Sequence, residues 1–147
     1  MKTIIIGASL SGKTTLATHL RSKNIQYREI DEELTTSDVH EKYADQIPKI
    51  LKDAFAQKDI LLIANTDYLT LDDLREAKKL GFKIYQLEIT VTEATRRNQI
   101  NLKSGKEDLS LYLDGNFDYQ SELKRAGLID KSLDATLPVE KLVKEII

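Results

Sequence analysis

The chain has 147 residues, and its 22 Lys and Arg against 24 Asp and Glu give a net charge of −2. This balance argues against broad electrostatic adhesion to nucleic acid, although a local basic groove is compatible with it. The length suits one domain that folds without a metal or a disulfide, and cysteine is absent. The chain opens without a signal-peptide pattern and has no apolar run of membrane-spanning length, so we expect a cytoplasmic protein with no membrane partner.

A glycine-rich loop follows the first predicted strand. Residues 2–6 are mostly β-branched and predict a short buried strand, and residues 7–15 read GASLSGKTT. They contain the full G-x-x-x-x-G-K-[ST] pattern of a phosphate-binding loop and lead into an amphipathic helix over residues 14–21. The amides at that helix N-terminus attract phosphate oxygens. We therefore predict a site for a nucleoside triphosphate.

Each residue type in this loop suits one part of that task. Gly7 and Gly12 let the backbone come close to an anion, Lys13 can reach the β- and γ-phosphates, and the Thr14 hydroxyl can ligate Mg²⁺. Thr15 has a second interpretation, as a capping or packing residue. The predicted nucleotide-binding residues are Gly7, Ser9, Ser11, Gly12, Lys13, Thr14 and Thr15.

The next part of the chain alternates strand and helix patterns. Residues 25–30 predict a short strand, and residues 38–57 carry an apolar stripe at helical spacing. Pro48 must kink that helix or begin a second one. Residues 59–64 predict another fully apolar strand, which indicates a sheet covered on both faces.

Capping residues mark the helix that comes next. Thr70 and Asp73 open it and Gly81 ends it. Residues 82–89 predict a further strand, and Thr92 then begins a helix that contains an arginine pair. The pattern is therefore strand, helix, strand, helix, as in parallel-sheet proteins.

The last third of the chain is harder to divide into elements. Gly105, Gly115 and Gly127 punctuate a polar stretch, residues 128–135 predict a short strand, and Pro138 takes the first position of a final helix. The whole alternation predicts a single α/β domain over residues 1–147, with a parallel sheet between helix layers and ligands at the carboxyl ends of the strands.

Acidic residues follow two of the predicted strands. Asp31 comes directly after the second strand and is a candidate general base that takes a proton from an acceptor hydroxyl. The alternative is that it belongs to a solvated acidic helix start. Asp67 follows the third strand and is a candidate for holding Mg²⁺ through water, for contacting the acceptor, or for a simple loop role. Asn65 stands where a metal-binding acid often ends such a strand.

An arginine pair follows the strand over residues 82–89. A kinase without a partner protein must supply its own cations to offset charge on the transferred group, and a guanidinium does so bidentately. Arg96 and Arg97 point about 100° apart on a helix, so one of them is expected to face the site, and we favour Arg97. The alternative is a solvated basic helix face.

These features together resemble a known family. The phosphate loop, Asp31 after a strand, the segment over residues 63–69, Arg75, and residues 92–98 look like the kinase domain of phage polynucleotide kinase. They are also similar to the wider family of small P-loop kinases, which includes gluconate-, shikimate- and nucleotide-kinase-like proteins. The similarity covers about residues 1–106, and the phosphate loop is its most specific part.

The resemblance implies a three-layer fold with a five-stranded parallel sheet and a short lid over about residues 96–118. It also implies that Asp31 is the acid-base residue and Arg97 a lid arginine. In a kinase of this shape residues 136–138 lie near the adenine, and the alternative is that they are an ordinary helix N-cap and first-turn proline. Two departures concern the acceptor: Asn101 stands where a second lid arginine is common, and the strongly basic tract of a polynucleotide channel is missing.

We therefore expect a kinase that uses ATP and Mg²⁺ and phosphorylates a nucleoside, nucleotide or related small metabolite. Lys13, Asp31 and Arg97 are the predicted catalytic residues, and Thr14 and Asp67 the predicted metal contacts. The alternatives are a polynucleotide 5′-hydroxyl kinase and a nucleotide-dependent switch or binding module. Tyr112, Phe117 and Tyr119 either stack a base in the lid region or pack in the fold.

Overall fold

A computed structural model of the chain describes residues 1–8, 10–34 and 40–147, without the side chains of residues 40–44. Ser9 of the predicted nucleotide site and the start of the predicted helix over residues 38–57 lie outside the described residues. Among the described residues, no helix has the length and apolar character to cross a membrane.

Five parallel strands form the sheet, in the order β2-β3-β1-β4-β5. They are β1 (Lys2–Gly7), β2 (Arg28–Glu29), β3 (Ile60–Asn65), β4 (Lys83–Glu88) and β5 (Lys131–Asp134). The central strands β1 and β3 are apolar nearly throughout because both of their faces are covered. This confirms the predicted five-stranded parallel sheet.

Helices cover both faces of this sheet. They are α1 (Lys13–Ser22), α2 (Ile30–Glu33), α3 (His40–Phe55), α4 (Leu71–Lys79), α5 (Val91–Lys103), α6 (Ser110–Arg125) and α7 (Val139–Ile146), and a 3₁₀ turn spans Thr66–Tyr68.

Each face of the sheet has its own apolar core. Ile4 and Ile6 point into a core shared with α3, α4 and α6, whereas Ile5 points into one shared with α1 and α7. Successive strand residues point to opposite faces, so one continuous apolar strand supplies both cores. The three layers confirm the predicted fold, and they bring the carboxyl ends of all five strands to one edge.

Several predicted boundaries are wrong by a few residues. Strand β2 has two residues because Ile30 already begins α2, and α5 begins at Val91 because Thr90, rather than a later residue, caps it. Pro138 is the N-cap of α7 and not its first residue. Pro48 lies inside α3, which continues as one helix, so the predicted alternative of a second helix is wrong.

The largest departure is α6, which occupies part of the stretch predicted as polar and punctuated by glycines. Its buried face consists of Leu113, Asn116, Gln120 and Leu123. Two of the four are amides, so the apolar periodicity that marks an amphipathic helix is weak here. Gly115 lies inside the helix. Glycine has a low helix propensity, so its presence argues against a helix at this position in the sequence.

Candidate active site

The loop between β1 and α1 curls tightly, and two glycines allow this. A Cβ at Gly7 would lie 2.3 Å from Ser11 Oγ, so the side chain of Ser11 can fold back only against a glycine. Gly12 has a φ of 95°, in the left-handed region that favours glycine. Ser11 N donates to Ala8 O at 3.2 Å, and Leu16 N donates to Gly12 O at 3.0 Å where α1 begins. The loop thus ends at the N-terminus of α1, where unpaired backbone amides suit phosphate binding.

Lys13 lies across this loop and is buried, with 7% of its surface exposed. Its Nζ donates to Ala8 O at 2.8 Å. Burial lowers the pKa of Lys13 to about 8, and the negative charges of Asp31, Glu29 and Asp67 oppose that shift. Burial destabilises the charged form of Lys13. A phosphate oxygen bound next to Nζ would stabilise that form, because it is a negatively charged partner.

Ser11 supplies an independent sign that the loop fits a phosphate. Its Oγ is buried and has no hydrogen-bond partner among the described residues. Buried hydroxyls are normally hydrogen-bonded, so an unpaired one beside a phosphate-binding loop fits an anion whose oxygen accepts its proton.

A cleft of about 670 Å³ opens over the loop and contains most of the predicted site. Its walls come from the loop, α2, the end of β3, α5 with the residues after it, and the segment between β5 and α7 with the start of α7. The predicted residues that line it are Ser11, Gly12, Lys13, Thr14, Thr15, Asp31 and Arg97, together with Thr136 and Leu137. Gly7 is buried beneath the loop, and Asp67 lines a neighbouring pocket with Arg75 and Tyr119.

Asp31 is exposed in α2, just past the end of β2. Tyr68, from the 3₁₀ turn after β3, donates its hydroxyl proton to Asp31 Oδ1 at 2.5 Å. Burial, followed by this hydrogen bond, raises the pKa of Tyr68 to about 12, so the phenol stays protonated and keeps donating. The carboxylate therefore has one oxygen held by Tyr68, and Asp31 is among the residues that line the cleft.

Glu29 is a site residue that the sequence analysis missed. It ends β2 and is buried, with 5% of its surface exposed. Burial raises its pKa to about 7, with further contributions from the charges of Glu32 and Asp31 and an opposing one from Lys13. In the sequence, Glu29 lies two positions before Asp31, and the buried Ile30 separates the two acidic residues. These two carboxyls therefore place negative charge beside the lysine of the loop.

The two neighbouring arginines of α5 point in different directions. Arg97 donates from Nη1 to Leu10 O at 2.8 Å and from Nη2 to Ala135 O at 3.1 Å. It therefore joins the phosphate loop to the segment after β5. Arg96 is 59% exposed, and its hydrogen bonds in the described structure go to Glu93. Hydrogen bonds from Arg96, and then from Arg97, lower the pKa of Glu93 to about 2. Arg97 is thus the member of the pair that faces the cleft.

The oxygen donors near the loop suit a hard cation bound mainly by phosphates. Thr14 is exposed at the start of α1, and the carboxylates of Glu29, Asp31 and Asp67 all interact electrostatically with Lys13. In the part of the chain that the structure describes, no three His, Cys, Asp or Glu side chains converge as a ready-made metal cage. Mg²⁺ at kinase sites typically uses one or two protein ligands with water and phosphate oxygens, which this arrangement fits.

Comparisons with known proteins agree with this geometry at the level of the fold. No family model and no curated protein matches the sequence. Solved structures do match: shikimate kinase from Aquifex aeolicus is 21% identical, with a TM-score of 0.69 over 99% of this chain and 93% of that chain. The YorR protein of Bacillus subtilis, in complex with phosphorylated GDP, is 18% identical, with a TM-score of 0.63 over 99% and 93%.

A third similar structure is deoxyadenosine kinase from M. mycoides with bound dATP. It is 19% identical, with a TM-score of 0.61 over 99% of this chain and 97% of that chain. A gluconokinase and a sugar kinase also match over nearly the whole chain. The chain therefore has the fold of small P-loop kinases, as the sequence resemblance predicted.

Proposed function

We propose that this protein is an ATP- and Mg²⁺-dependent kinase that phosphorylates a hydroxyl of a nucleoside, nucleotide or related small metabolite. The observation that carries the proposal is that Lys13 and Asp31 line one cleft, with Asp31 oriented by Tyr68. A phosphate-binding cation and a carboxylate in one cleft are the two parts that phosphoryl transfer to a hydroxyl requires. The similarity to shikimate kinase and deoxyadenosine kinase supports a small acceptor.

The loop is the binding site for the triphosphate. The amides of residues 12–15 hydrogen-bond the phosphates, and the Lys13 ammonium exchanges its bond with Ala8 O for phosphate oxygens. The base lies toward residues 136–138, beside the end of β5. Thr14 would ligate Mg²⁺, and Asp67 would contribute to the same site through water. When bound, Mg²⁺ would neutralise part of the negative charge on the β- and γ-phosphates.

The proton of the acceptor hydroxyl passes to the free oxygen of Asp31. The acceptor oxygen forms its bond to the γ-phosphorus, the bond from that phosphorus to the β–γ bridging oxygen breaks, and ADP leaves. Arg97, held above the loop by Leu10 O, offsets the charge that spreads over the transferred group. The chain's own residues thus account for proton removal and for charge stabilisation.

The charge distribution favours a small acceptor over a polynucleotide. The net charge is −2, and the cleft wall formed by α5 and the residues after it contains Asn101 and one lysine, Lys106, rather than a strongly basic tract. Polynucleotide binding depends on several Lys or Arg side chains that neutralise phosphates.

An acceptor panel tests the proposal. Nucleosides, mononucleotides, sugar acids and 5′-hydroxyl oligonucleotides are each incubated with ATP carrying a labelled γ-phosphate, and both ATP consumption and label transfer are measured. Transfer to a small molecule is the expected result. Transfer to the oligonucleotide alone would replace the proposal by a polynucleotide kinase, and an ATP-induced change of shape without any transfer would replace it by a nucleotide switch.

A further inference from the structure

The guanidinium of Arg97 lies directly over the phosphate loop. A Cβ on Gly12 would lie 3.7 Å from Arg97 Nη1. The same Nη1 donates to Leu10 O at 2.8 Å, and Nη2 donates to Ala135 O at 3.1 Å. Both terminal nitrogens of this side chain therefore bond to backbone carbonyls beside the loop to which we assign the triphosphate.

The third nitrogen of this guanidinium is bonded to a residue of its own helix. Arg97 Nε donates to Glu93 Oε1 at 3.1 Å, and the two residues lie four positions apart on one face of α5. A guanidinium can bind phosphate oxygens through its two Nη atoms while Nε stays bonded elsewhere. Glu93 thus contacts the part of Arg97 that can keep its partner when both Nη atoms change theirs.

Glu93 is well placed to hold a neighbouring side chain. Its backbone amide donates to Thr90 Oγ1 at 3.1 Å, at the N-cap of α5, and its side chain is 21% exposed. Hydrogen bonds from Arg96 and then from Arg97 lower the pKa of Glu93 to about 2, so near neutral pH the carboxylate is ionised and accepts both. The bond from Arg97 joins two positions of one helical face and does not pass through Arg96.

A purely structural role for Glu93 is also compatible with its position. An acidic residue in the first turn of a helix interacts favourably with the helix dipole, and this effect stabilises α5 whatever Arg97 does. The two roles differ in what they require. Helix stabilisation persists when Arg97 is removed, whereas an effect that acts through Arg97 does not.

We propose that Glu93 is a positioning residue for phosphoryl transfer, which holds Arg97 by Nε so that both Nη atoms face the transferred phosphate. When the triphosphate binds, the Nη atoms exchange Leu10 O and Ala135 O for phosphate oxygens, and the bond to Glu93 remains. A cation that is oriented before the reaction stabilises the transition state with little reorganisation. This inference rests on the proposed function, because it requires Arg97 to offset charge on the transferred group.

A double-mutant cycle tests the proposal. Single-turnover transfer of labelled γ-phosphate and the Kd of ATP are measured for the wild type, Glu93→Ala, Glu93→Gln, Arg97→Ala and the double variant Glu93→Ala/Arg97→Ala. Glu93→Ala should lower the transfer rate about tenfold, the usual cost of one hydrogen bond, without raising the Kd of ATP. Glu93→Gln keeps an oxygen that accepts from Nε, so it should recover part of the rate. In the Arg97→Ala background, Glu93→Ala should lower the rate no further.

Glu145→Ala is the matched control, because it also removes a helical carboxylate that pairs with a cation. Glu145 lies on α7, pairs with Lys131 at 3.9 Å and is not among the residues that line the cleft. Its transfer rate and its Kd for ATP should equal those of the wild type. Urea unfolding of each preparation shows that the compared variants are folded.

An NMR measurement tests the same contact without phosphoryl transfer. The Arg97 Nε–H signal of the wild type should be protected from solvent exchange, and it should stay protected when ATP is added without an acceptor. Loss of that protection on ATP binding would overturn the proposal, and this measurement needs no variant.

The outcomes also separate this proposal from the proposed function. The proposal is wrong if Glu93→Ala transfers phosphate at the wild-type rate, if it lowers the rate about tenfold in the Arg97→Ala background as well, or if Glu93→Gln recovers nothing. A wild type that binds ATP but transfers no label to any acceptor contradicts the proposed function, and the Nε–H signal still decides whether Glu93 holds Arg97.

Discussion

Replacing Arg97 by alanine should impair both stability and transfer, by amounts that its contacts allow us to work out. The side chain is 24% exposed, and its guanidinium bonds to two backbone carbonyls, Leu10 O at 2.8 Å and Ala135 O at 3.1 Å. Each such bond is worth about 0.5–1.5 kcal/mol, and the partly exposed pair with Glu93 contributes less than about 1 kcal/mol. We therefore expect the free energy of unfolding of Arg97→Ala to be lower than that of the wild type by about 1–4 kcal/mol.

The effect on phosphoryl transfer should be much larger. A cation that offsets transition-state charge is worth about 10³–10⁵ in kcat. Arg97→Lys keeps the charge but cannot bridge both carbonyls with a fork, so its kcat should lie between those of the wild type and Arg97→Ala. Single-turnover transfer of labelled γ-phosphate, together with urea unfolding of the same preparations, measures both effects.

Arg96→Ala is the matched control because this neighbouring arginine is exposed and bonds to Glu93 outside the cleft. It should change the unfolding free energy by less than about 0.5 kcal/mol and leave kcat near normal. If Arg96→Ala is the impaired variant and Arg97→Ala transfers phosphate normally, the assignment of the arginine is wrong.

Three further predictions follow from the other groups of the site. Asp31→Asn keeps the bond from Tyr68 but cannot take a proton, so kcat should fall by about 10²–10⁴ with an unchanged ATP Kd; near-normal kcat would move the role of base to Asp67. Burial raises the pKa of Glu29 to about 7, so the folded state holds a proton that the unfolded state releases, and the unfolding free energy should fall between about pH 4.5 and 7. Urea unfolding across this range should show a smaller fall for Glu29→Gln, and identical curves would contradict the assigned cause. The acceptor KM should change little with salt, whereas a polynucleotide acceptor would give a steep rise in KM between low and high salt.

The parts of the fold that were predictable are those whose signals are local in sequence. The apolar runs of β1 and β3 mark strands covered on both faces. The capping box of Thr70 and Asp73 depends on residues three positions apart, and the structure contains both of its hydrogen bonds, at 3.0 and 2.9 Å. Elements defined by their own residues could therefore be read from the sequence.

Helix α6 could not be predicted in the same way, because its signal depends on tertiary structure. Asn116 and Gln120 are buried although they are polar, which removes half of the apolar stripe. Nothing in the local sequence indicates that amides will face the sheet. The apolar periodicity of a sequence does not predict a helix whose buried face is partly polar, because that burial depends on contacts with other parts of the chain.

The candidate site divides along the same line. The phosphate loop is one continuous motif, so the sequence alone predicts it. The bond from Tyr68 to Asp31 joins residues 37 positions apart, and Arg97 reaches Leu10 across 87 positions. Only the order of the strands brings these residues together. The buried Glu29 belongs to this second group, because its raised pKa arises first from burial, which depends on how the chain packs around it.

Transfer of labelled γ-phosphate by the wild type and by Lys13→Ala tests the central claim most directly. The wild type should move the label from ATP to one small hydroxyl acceptor of the panel. Lys13→Ala should transfer none, and it should unfold at no lower a urea concentration than the wild type, because it removes a buried ammonium. A folded Lys13→Ala protein that turns over ATP at the normal rate would contradict the account.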